Sequence, residues 1–290
     1  MRVAVIAGMV LVLPALSLFA CSSFSDSGDS ADAGASDAPA APDAIPAVDA
    51  SVEAGADVAV VDAAAGPYRA AVLADAPIAY WRMGIKTGIT VPDESGHNNP
   101  LIVQVPDGAL LGVAGATSVD GDTAIHFDGT TSFAVATDSR AFDFASGASF
   151  TVECWASYEP LGTGGSYPTL FSSVDGFNGG ANGYLLYFSK VGSTVQFNYG
   201  GLDSVTAGAI PSAMTYHHYV TVFEAKTARV YVDGKETANG IASTITARTS
   251  AFTVAARSGG SEYFPGSIDE VAVYDKALSL GRVAAHFEAR

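Results

Sequence analysis

Three aspartates lie in short polar segments beside predicted strands, where side-chain oxygens can converge. Asp93 lies in a loop rich in turn-forming residues, Asp128 precedes Gly129, and Asp269 stands at the start of the last predicted strand. Carboxylate and carbonyl oxygens on loops are the ligands that Ca²⁺ prefers. Each aspartate can equally accept hydrogen bonds from the N–H groups of its own turn. The residue types therefore predict either a calcium site or three turn caps.

The sequence gives little support for a catalytic carboxylate pair or for a zinc site. A glycoside hydrolase needs two carboxyl groups facing across the scissile bond, and on one strand they must be two residues apart to share a face. Asp269 and Glu270 are adjacent, so a regular strand would point them to opposite faces, and Glu153 has no acidic residue two positions away. The adjacent pair His217 and His218 is poorly placed to chelate one zinc ion for the same reason. We therefore expect no enzyme.

Aromatic rings are the candidate binding groups. In the run from Phe150 to Ala156, Trp155 falls on the face opposite the predicted core residues, and Tyr184 begins another strand rich in aromatic residues. Flat rings exposed on a sheet can stack on sugar rings. The alternative is packing in a second layer, because large aromatic residues are usually well buried. Trp155 and Tyr184 are the candidate ligand-binding residues.

The elements that position these residues are strands. The segment from Tyr216 to Glu236 alternates between apolar and polar positions on both sides of a short polar loop, which predicts a hairpin. Asp233 and Gly234 suit a tight turn. A hairpin of this kind needs a larger antiparallel sheet, and many short strands follow at even spacing. The pattern predicts an all-β sandwich or jelly roll.

Four motifs carry a family resemblance. They are Ala79–Met83 with the Asp93–Gly96 loop, the Phe127–Gly129 turn, the Tyr216–Glu236 hairpin, and Gly266–Ser279. Together they resemble laminin-G-like, concanavalin A-like lectin/glucanase jelly rolls over residues 67–290. The resemblance implies an antiparallel two-sheet β-sandwich, and Ser279 predicts a short C-terminal helix by its N-cap preference.

The resemblance also carries expectations about function. The family often holds one structural calcium ion, and neighbouring first and last strands would bring Asp93 and Asp269 together. It implies non-catalytic recognition of a glycan or a protein. The alternatives are a glycoside-active enzyme with an unrecognised site, and a purely structural envelope protein, because fold alone does not fix function.

The N-terminus has the pattern of an export signal. Arg2 precedes an apolar run, and Leu18–Cys21 resembles the lipobox of bacterial lipoproteins. We expect residues 1–20 to be a lipoprotein signal peptide and Cys21 to carry the lipid. Because Ser22 follows the cysteine, the resemblance favours the outer membrane of a two-membrane bacterium, with periplasmic or surface display.

Residues 21–66 predict a disordered tether. They contain nine acidic residues, no basic residue and few large apolar ones, so they cannot form a core. The whole chain has a formal net charge of −16, which argues against nucleic acid as a partner. The expected contact with the membrane is therefore through the lipid alone. With Cys21 lipidated, Cys154 has no intramolecular disulfide partner and is predicted to pack in the core.

Overall fold

The structure is a computed structural model that describes residues 66–104, 106–117, 121–138, 140–144, 147–160, 165–175, 182–200, 203–241, 245 and 249–290. The predicted signal peptide, Cys21 and almost the whole predicted tether lie outside these residues. Within the described ranges, neither helix has the length and apolar character needed to cross a bilayer.

The described residues form sixteen strands and two α-helices. In chain order they are α1 (Pro67–Ala74), β1 (Ala79–Trp81), β2 (Thr90–Val91), β3 (Leu101–Gln104), β4 (Ala109–Ala114), β5 (Thr123–Asp128), β6 (Phe133–Ala136), β7 (Phe150–Tyr158), β8 (Thr169–Asp175), β9 (Asn182–Ser189), β10 (Thr194–Tyr199), β11 (Asp203–Ala209), β12 (His217–Glu224), β13 (Thr227–Val232), β14 (Lys235–Ile241), β15 (Thr253–Val254), β16 (Pro265–Tyr274) and α2 (Leu280–Glu288). A short 3₁₀ turn, Pro106–Gly108, precedes β4.

The strands make two antiparallel sheets that enclose one core. Sheet A has the order β14-β13-β12-β7-β16-β5-β4, with β1 also paired to β16. Sheet B has the order β11-β10-β9-β8-β15-β6-β3-β2. This arrangement confirms the predicted all-β, two-sheet antiparallel sandwich with a short C-terminal helix. The pairing of β1 with β16 also confirms that the first and last strands are neighbours.

The period-2 pattern correctly assigns residues to faces. From β7, Phe150, Val152, Cys154 and Ala156 enter the core between the sheets. Cys154 is buried there, and burial raises the pKa of its thiol. The predicted hairpin forms from β12 and β13. At the next turn, Asp233 and Gly234 have φ angles of 52° and 73°, the left-handed geometry that a tight turn requires.

Both helices lie on the outer face of sheet A. Tyr68 and Val72 from α1, and Val283 and Phe287 from α2, join a second apolar cluster with the outward residues of this sheet. Ser279 caps α2 by accepting a hydrogen bond from the Arg282 N–H at 3.3 Å, as predicted. This face of the sheet is therefore a second buried layer.

A β-bulge interrupts β16. The register with β7 shifts between Asp269 and Ala272, and Glu270 has a φ of 51°. A bulge adds an unpaired residue and breaks the alternation of faces. Asp269 pairs with Trp155, whose ring faces outward. Asp269 therefore lies on the outer face of sheet A, and the expectation that Asp269 and Glu270 point to opposite faces is wrong.

Candidate functional site

The structure corrects both predicted ligand-binding aromatics. Trp155 is 0% exposed; its ring stacks on His218 and Phe287 with centroid distances of 4.8 and 5.7 Å. Tyr184 is also 0% exposed and packs 4.7 Å from Phe150 in the core. Neither ring can meet a ligand, because the helices cover one and the opposite sheet covers the other.

Beneath the helices lies a buried ionisable network, which we call the helix clasp: Asp75, Glu153, His218, Tyr274 and His286. At its centre is Glu153, which is 0% exposed. Its carboxylate lies 3.0 Å from His218 Nε2 and 3.0 Å from His286 Nδ1, and it accepts a hydrogen bond from the Tyr274 hydroxyl. Burial alone would raise the pKa of Glu153, but His286 and His218 hold it well below its usual range.

The clasp joins the two helices to each other. His286 Nε2 lies 2.9 Å from the carboxylate of Asp75, which follows α1, and Arg282 donates to the same oxygen at 2.7 Å. Although burial lowers the pKa of His286, Glu153 and Asp75 together raise it above its usual value. Because His286 and Glu153 are buried, neither group can reach a substrate. The network therefore fastens the helices to sheet A.

Two of the three predicted calcium ligands act as turn caps. Asp93 accepts hydrogen bonds from the N–H groups of Tyr80, Ser95 and Asn99, each at 2.9 Å. Its carboxylate fixes the loop after β2 and is not part of the acidic group that contains Asp269.

Asp128 makes the same kind of cap. It accepts from the N–H groups of Thr130, Thr131 and Ser132 at 2.9–3.0 Å. Burial opposes ionisation, yet these bonds hold the pKa of Asp128 well below its usual range. Asp128 therefore makes the contacts expected of a turn cap, which is the alternative to a calcium ligand.

Asp269 belongs to an acidic cluster with Asp122 and Glu270. One oxygen from each of the three carboxylates lies within 4.8 Å of the others. Asp269 accepts from the Ala116 N–H at 2.7 Å through Oδ2, whereas its buried Oδ1 has no hydrogen-bond partner among the described residues. Arg82 is 2.9 Å from Asp122 and 3.2 Å from Glu270. This cluster combines three carboxylates with one neighbouring guanidinium.

The protein environment makes ionisation of the Asp269 and Glu270 carboxyl groups unfavourable. Burial and the Asp122 carboxylate raise the pKa of Asp269 well above its usual range, and burial and Asp269 do the same for Glu270. A buried carboxylate needs a proton, a partner or a metal ion. A cleft of about 150 Å³, lined in part by Arg82 and Asp122, lies beside the cluster. The donor set of hard oxygens therefore fits a divalent cation such as calcium.

The outer face of sheet B differs from that of sheet A. Both α-helices of the described ranges lie on sheet A, so neither covers it. A groove of about 430 Å³ lies over this face. We call it the sheet B groove, and it is lined by Gln104, Phe133, Val135, Ser250, Ala251, Thr253 and Gly259. This volume falls within the usual range for small-ligand sites.

Sequence reasoning missed Asp122 and the groove. Asp122 directly precedes β5, far along the chain from its partners, and the bulge that turns Glu270 toward it has no signal in the alternation pattern. For the groove, Phe133 and Val135 alternate with the small core residues Ala134 and Ala136. That alternation is the signal that identifies an outward-facing apolar pair.

Residues 127–284 match the concanavalin A-like lectin/glucanases superfamily. The matched segment runs from the end of β5 into α2 and covers more than half of the chain. This protein therefore belongs to that superfamily. No curated protein matches the sequence.

Solved structures share the fold at low sequence identity. The binding domain of the Paraclostridial Mosquitocidal Protein 1 is 15% identical with a TM-score of 0.58, and the match covers 74% of this chain and 52% of that one. Trypanosoma rangeli sialidase is 18% identical with a TM-score of 0.52, covering 73% and 32%. Domain 4 of the Geobacillus stearothermophilus arabinanase AbnA, solved with arabinotriose, is 17% identical with a TM-score of 0.47, covering 72% and 97%. This chain thus spans about half of the toxin domain and a third of the sialidase.

Proposed function

We propose that this protein is a non-catalytic carbohydrate-recognition module displayed from the cell envelope by an N-terminal lipid. One observation carries the proposal: in a lectin and glucanase superfamily fold, both helices cover the central strands of one sheet, whereas the other sheet has a groove on its outer face. Binding sites in proteins are typically concave, with apolar walls and a few polar groups.

The arrangement of carboxylates favours binding over hydrolysis. Glu153, the acidic residue in the middle of β7, is enclosed in the helix clasp. The groove lining includes neither Asp nor Glu, and a glycoside hydrolase normally acts through a pair of carboxyl groups across the bond. A catalytic role would therefore require carboxylates from outside this lining.

The envelope location rests on the sequence of Leu18–Cys21 and on the acidic composition of residues 21–66. Several acyl chains on one cysteine anchor a protein firmly, because each buried methylene contributes about 0.8 kcal/mol. A tether without a core of its own leaves the domain free to sample the space near the membrane.

We also propose that calcium occupies the acidic cluster, with Asp122, Asp269 and Glu270 as ligands in place of the predicted set Asp93, Asp128 and Asp269. Two glycines leave room for the carboxylates: a Cβ on Gly84 would lie 2.6 Å from Asp122 Oδ1, and one on Gly115 would lie 2.7 Å from Asp269 Oδ2. The ion would supply the positive charge that this site needs beside Arg82.

The direct test is a glycan array probed with the full chain purified in detergent, followed by calorimetry on the glycans that bind. We expect saturable binding without release of reducing sugar during prolonged incubation. Hydrolysis of a bound glycan would contradict the non-catalytic assignment. Failure to bind any glycan, with binding of a surface protein instead, would contradict carbohydrate recognition.

A further inference from the structure

The floor of the sheet B groove is built from three adjacent strands. Gln104 of β3 lies directly opposite Phe133 of β6, and Val135 of β6 lies opposite Thr253 of β15. Directly opposite residues in a sheet have Cβ atoms only about 4.5–5.5 Å apart. The Gln104 amide, the Phe133 ring and the Val135 side chain therefore form one continuous patch, beside Thr253, which is 2% exposed.

The ring of Phe133 is held in place from one side. Tyr263 packs against it at a centroid distance of 6.0 Å, and the Tyr263 hydroxyl donates to the Gly260 carbonyl at 2.8 Å. Gly260 has a φ of 76°, and a Cβ there would lie 3.4 Å from Phe133 Cε1. A partly exposed ring with such a support is a preorganised flat surface.

One wall of the groove is fixed by a carboxylate behind it. Asp175 accepts hydrogen bonds from the N–H groups of Thr249 and Ser250 at 2.9 and 2.8 Å. These bonds set the backbone that leads to Ala251 in the wall.

The lining itself has no ionisable side chain. A charged ligand would lose part of its hydration there without gaining an opposite charge from the lining, which is unfavourable. A neutral ligand with a flat apolar side and many hydroxyl groups meets no such penalty. The ring matches the apolar side, while amide, hydroxyl and peptide groups match the hydroxyls.

We propose that the sheet B groove binds an uncharged saccharide, with one sugar ring packed against Phe133. The proposal rests on the carbohydrate-recognition function above and narrows it to a ligand class and a place. The lining predicts that affinity is nearly independent of ionic strength, because screening acts on charge pairs.

The test is calorimetry on the full chain in detergent, with neutral hexose and pentose trisaccharides and with trigalacturonate as the acidic counterpart. We expect a neutral trisaccharide to bind and trigalacturonate not to bind. Phe133→Ala should weaken neutral binding about tenfold or more, which corresponds to the contribution of one good ring contact. Phe133→Tyr keeps the ring and should preserve binding, and Gln104→Ala should weaken it severalfold.

The matched control is Tyr167→Ala. Tyr167 is 42% exposed and packs edge-on against Tyr187 at 5.6 Å, outside the groove lining, so its removal should leave affinity unchanged. Thermal melting identifies any variant that fails to fold. If the neutral trisaccharide binds Phe133→Ala and Gln104→Ala as tightly as it binds the wild type, the groove is not the binding site. If trigalacturonate binds more tightly than the neutral trisaccharides, the proposed ligand class is wrong. Either result leaves carbohydrate recognition intact, whereas no binding of any saccharide in the array would refute that function itself.

Discussion

Replacing Glu153 by Gln should destabilise this domain more than any change at a surface carboxylate. The substitution keeps the shape of the side chain but removes the charge that faces His218 and His286. Breaking a buried ion pair from one side typically costs about 3–5 kcal/mol, since the other charge stays buried. For a domain of this size, that loss corresponds to a fall in Tm of about 6–20 °C.

The pH dependence gives the prediction a second, independent signature. Glu153 has a lowered pKa in the folded state, so its stabilisation is complete above the unfolded value of about 4.3 and is lost as the pH falls. His286 has a raised pKa, so its stabilisation is complete below about 6.5 and is lost as the pH rises through the folded pKa. Both contributions are present between about pH 4.3 and 6.5.

The charge on His286 follows from its surroundings. Its Nδ1 faces Glu153 and its Nε2 faces Asp75, and an imidazole donates from both nitrogens only when it is protonated. Glu153→Gln removes the larger of the two carboxylate effects on His286. The loss of stability with rising pH should therefore be shallower in the variant than in the wild type.

The measurement is urea unfolding of wild type and Glu153→Gln at intervals from about pH 2.5 to pH 9, with Glu224→Gln as the control. Glu224 is half-exposed and pairs with Arg229 at 3.2 Å, so its loss should cost less than about 1 kcal/mol. In Glu153→Gln, native-state hydrogen exchange should also be faster for the backbone amides of Leu280–Glu288 than for those of the β12–β13 hairpin. Equal stability of the two variants, or unchanged pH profiles, would refute the clasp.

Three further predictions follow from the other features. The Tm of the wild type should rise on moving from chelator to millimolar calcium, because a ligand of the folded state stabilises it by mass action. Asp269→Ala should have a lower Tm and should lack this rise. A wild-type Tm that does not depend on calcium would eliminate the metal site. Deleting residues 30–60 should leave Tm within about a degree, because a solvated segment contributes no packed contacts, and a drop of several degrees would show that it docks. Cys21→Ser should move the protein out of the membrane fraction or stall its processing, and unchanged fractionation with unchanged mature mass would contradict lipidation.

Much of the sandwich is predictable because its signals are local. Alternation in β7 and in the β12–β13 hairpin assigns residues to the correct faces. Ser279 marks the start of α2, and Asp233 and Gly234 mark a turn. Each of these inferences needs only a few neighbouring residues, because strand geometry and capping act over a few residues.

The site residues were harder to predict because they depend on contacts between distant segments. Alternation correctly places Trp155 away from the core, but it cannot show that α1 and α2 cover that face. The same limit applies to Glu270, since a single bulge in β16 reverses the expected direction. Asp122 and Asp269 are brought together only by the assembled sheet. Burial of a face and irregular strand geometry are tertiary properties that a period-2 pattern does not encode.

The position of α1 determines how mechanical load would pass through the domain. The segment before Gly66 joins α1 on the outer face of sheet A, whereas the groove lies on the outer face of sheet B. A ligand held in the groove and a pull applied through that segment would thus act on opposite sides of the sandwich. The first contacts under tension are those of α1 itself, because Tyr68 on Trp155 and Arg69 with Glu94 precede the contacts of Asp75 along the chain. Because α1 is held to sheet A by side chains such as Tyr68 and Val72, we expect such a pull to load the helix before it loads the paired strands.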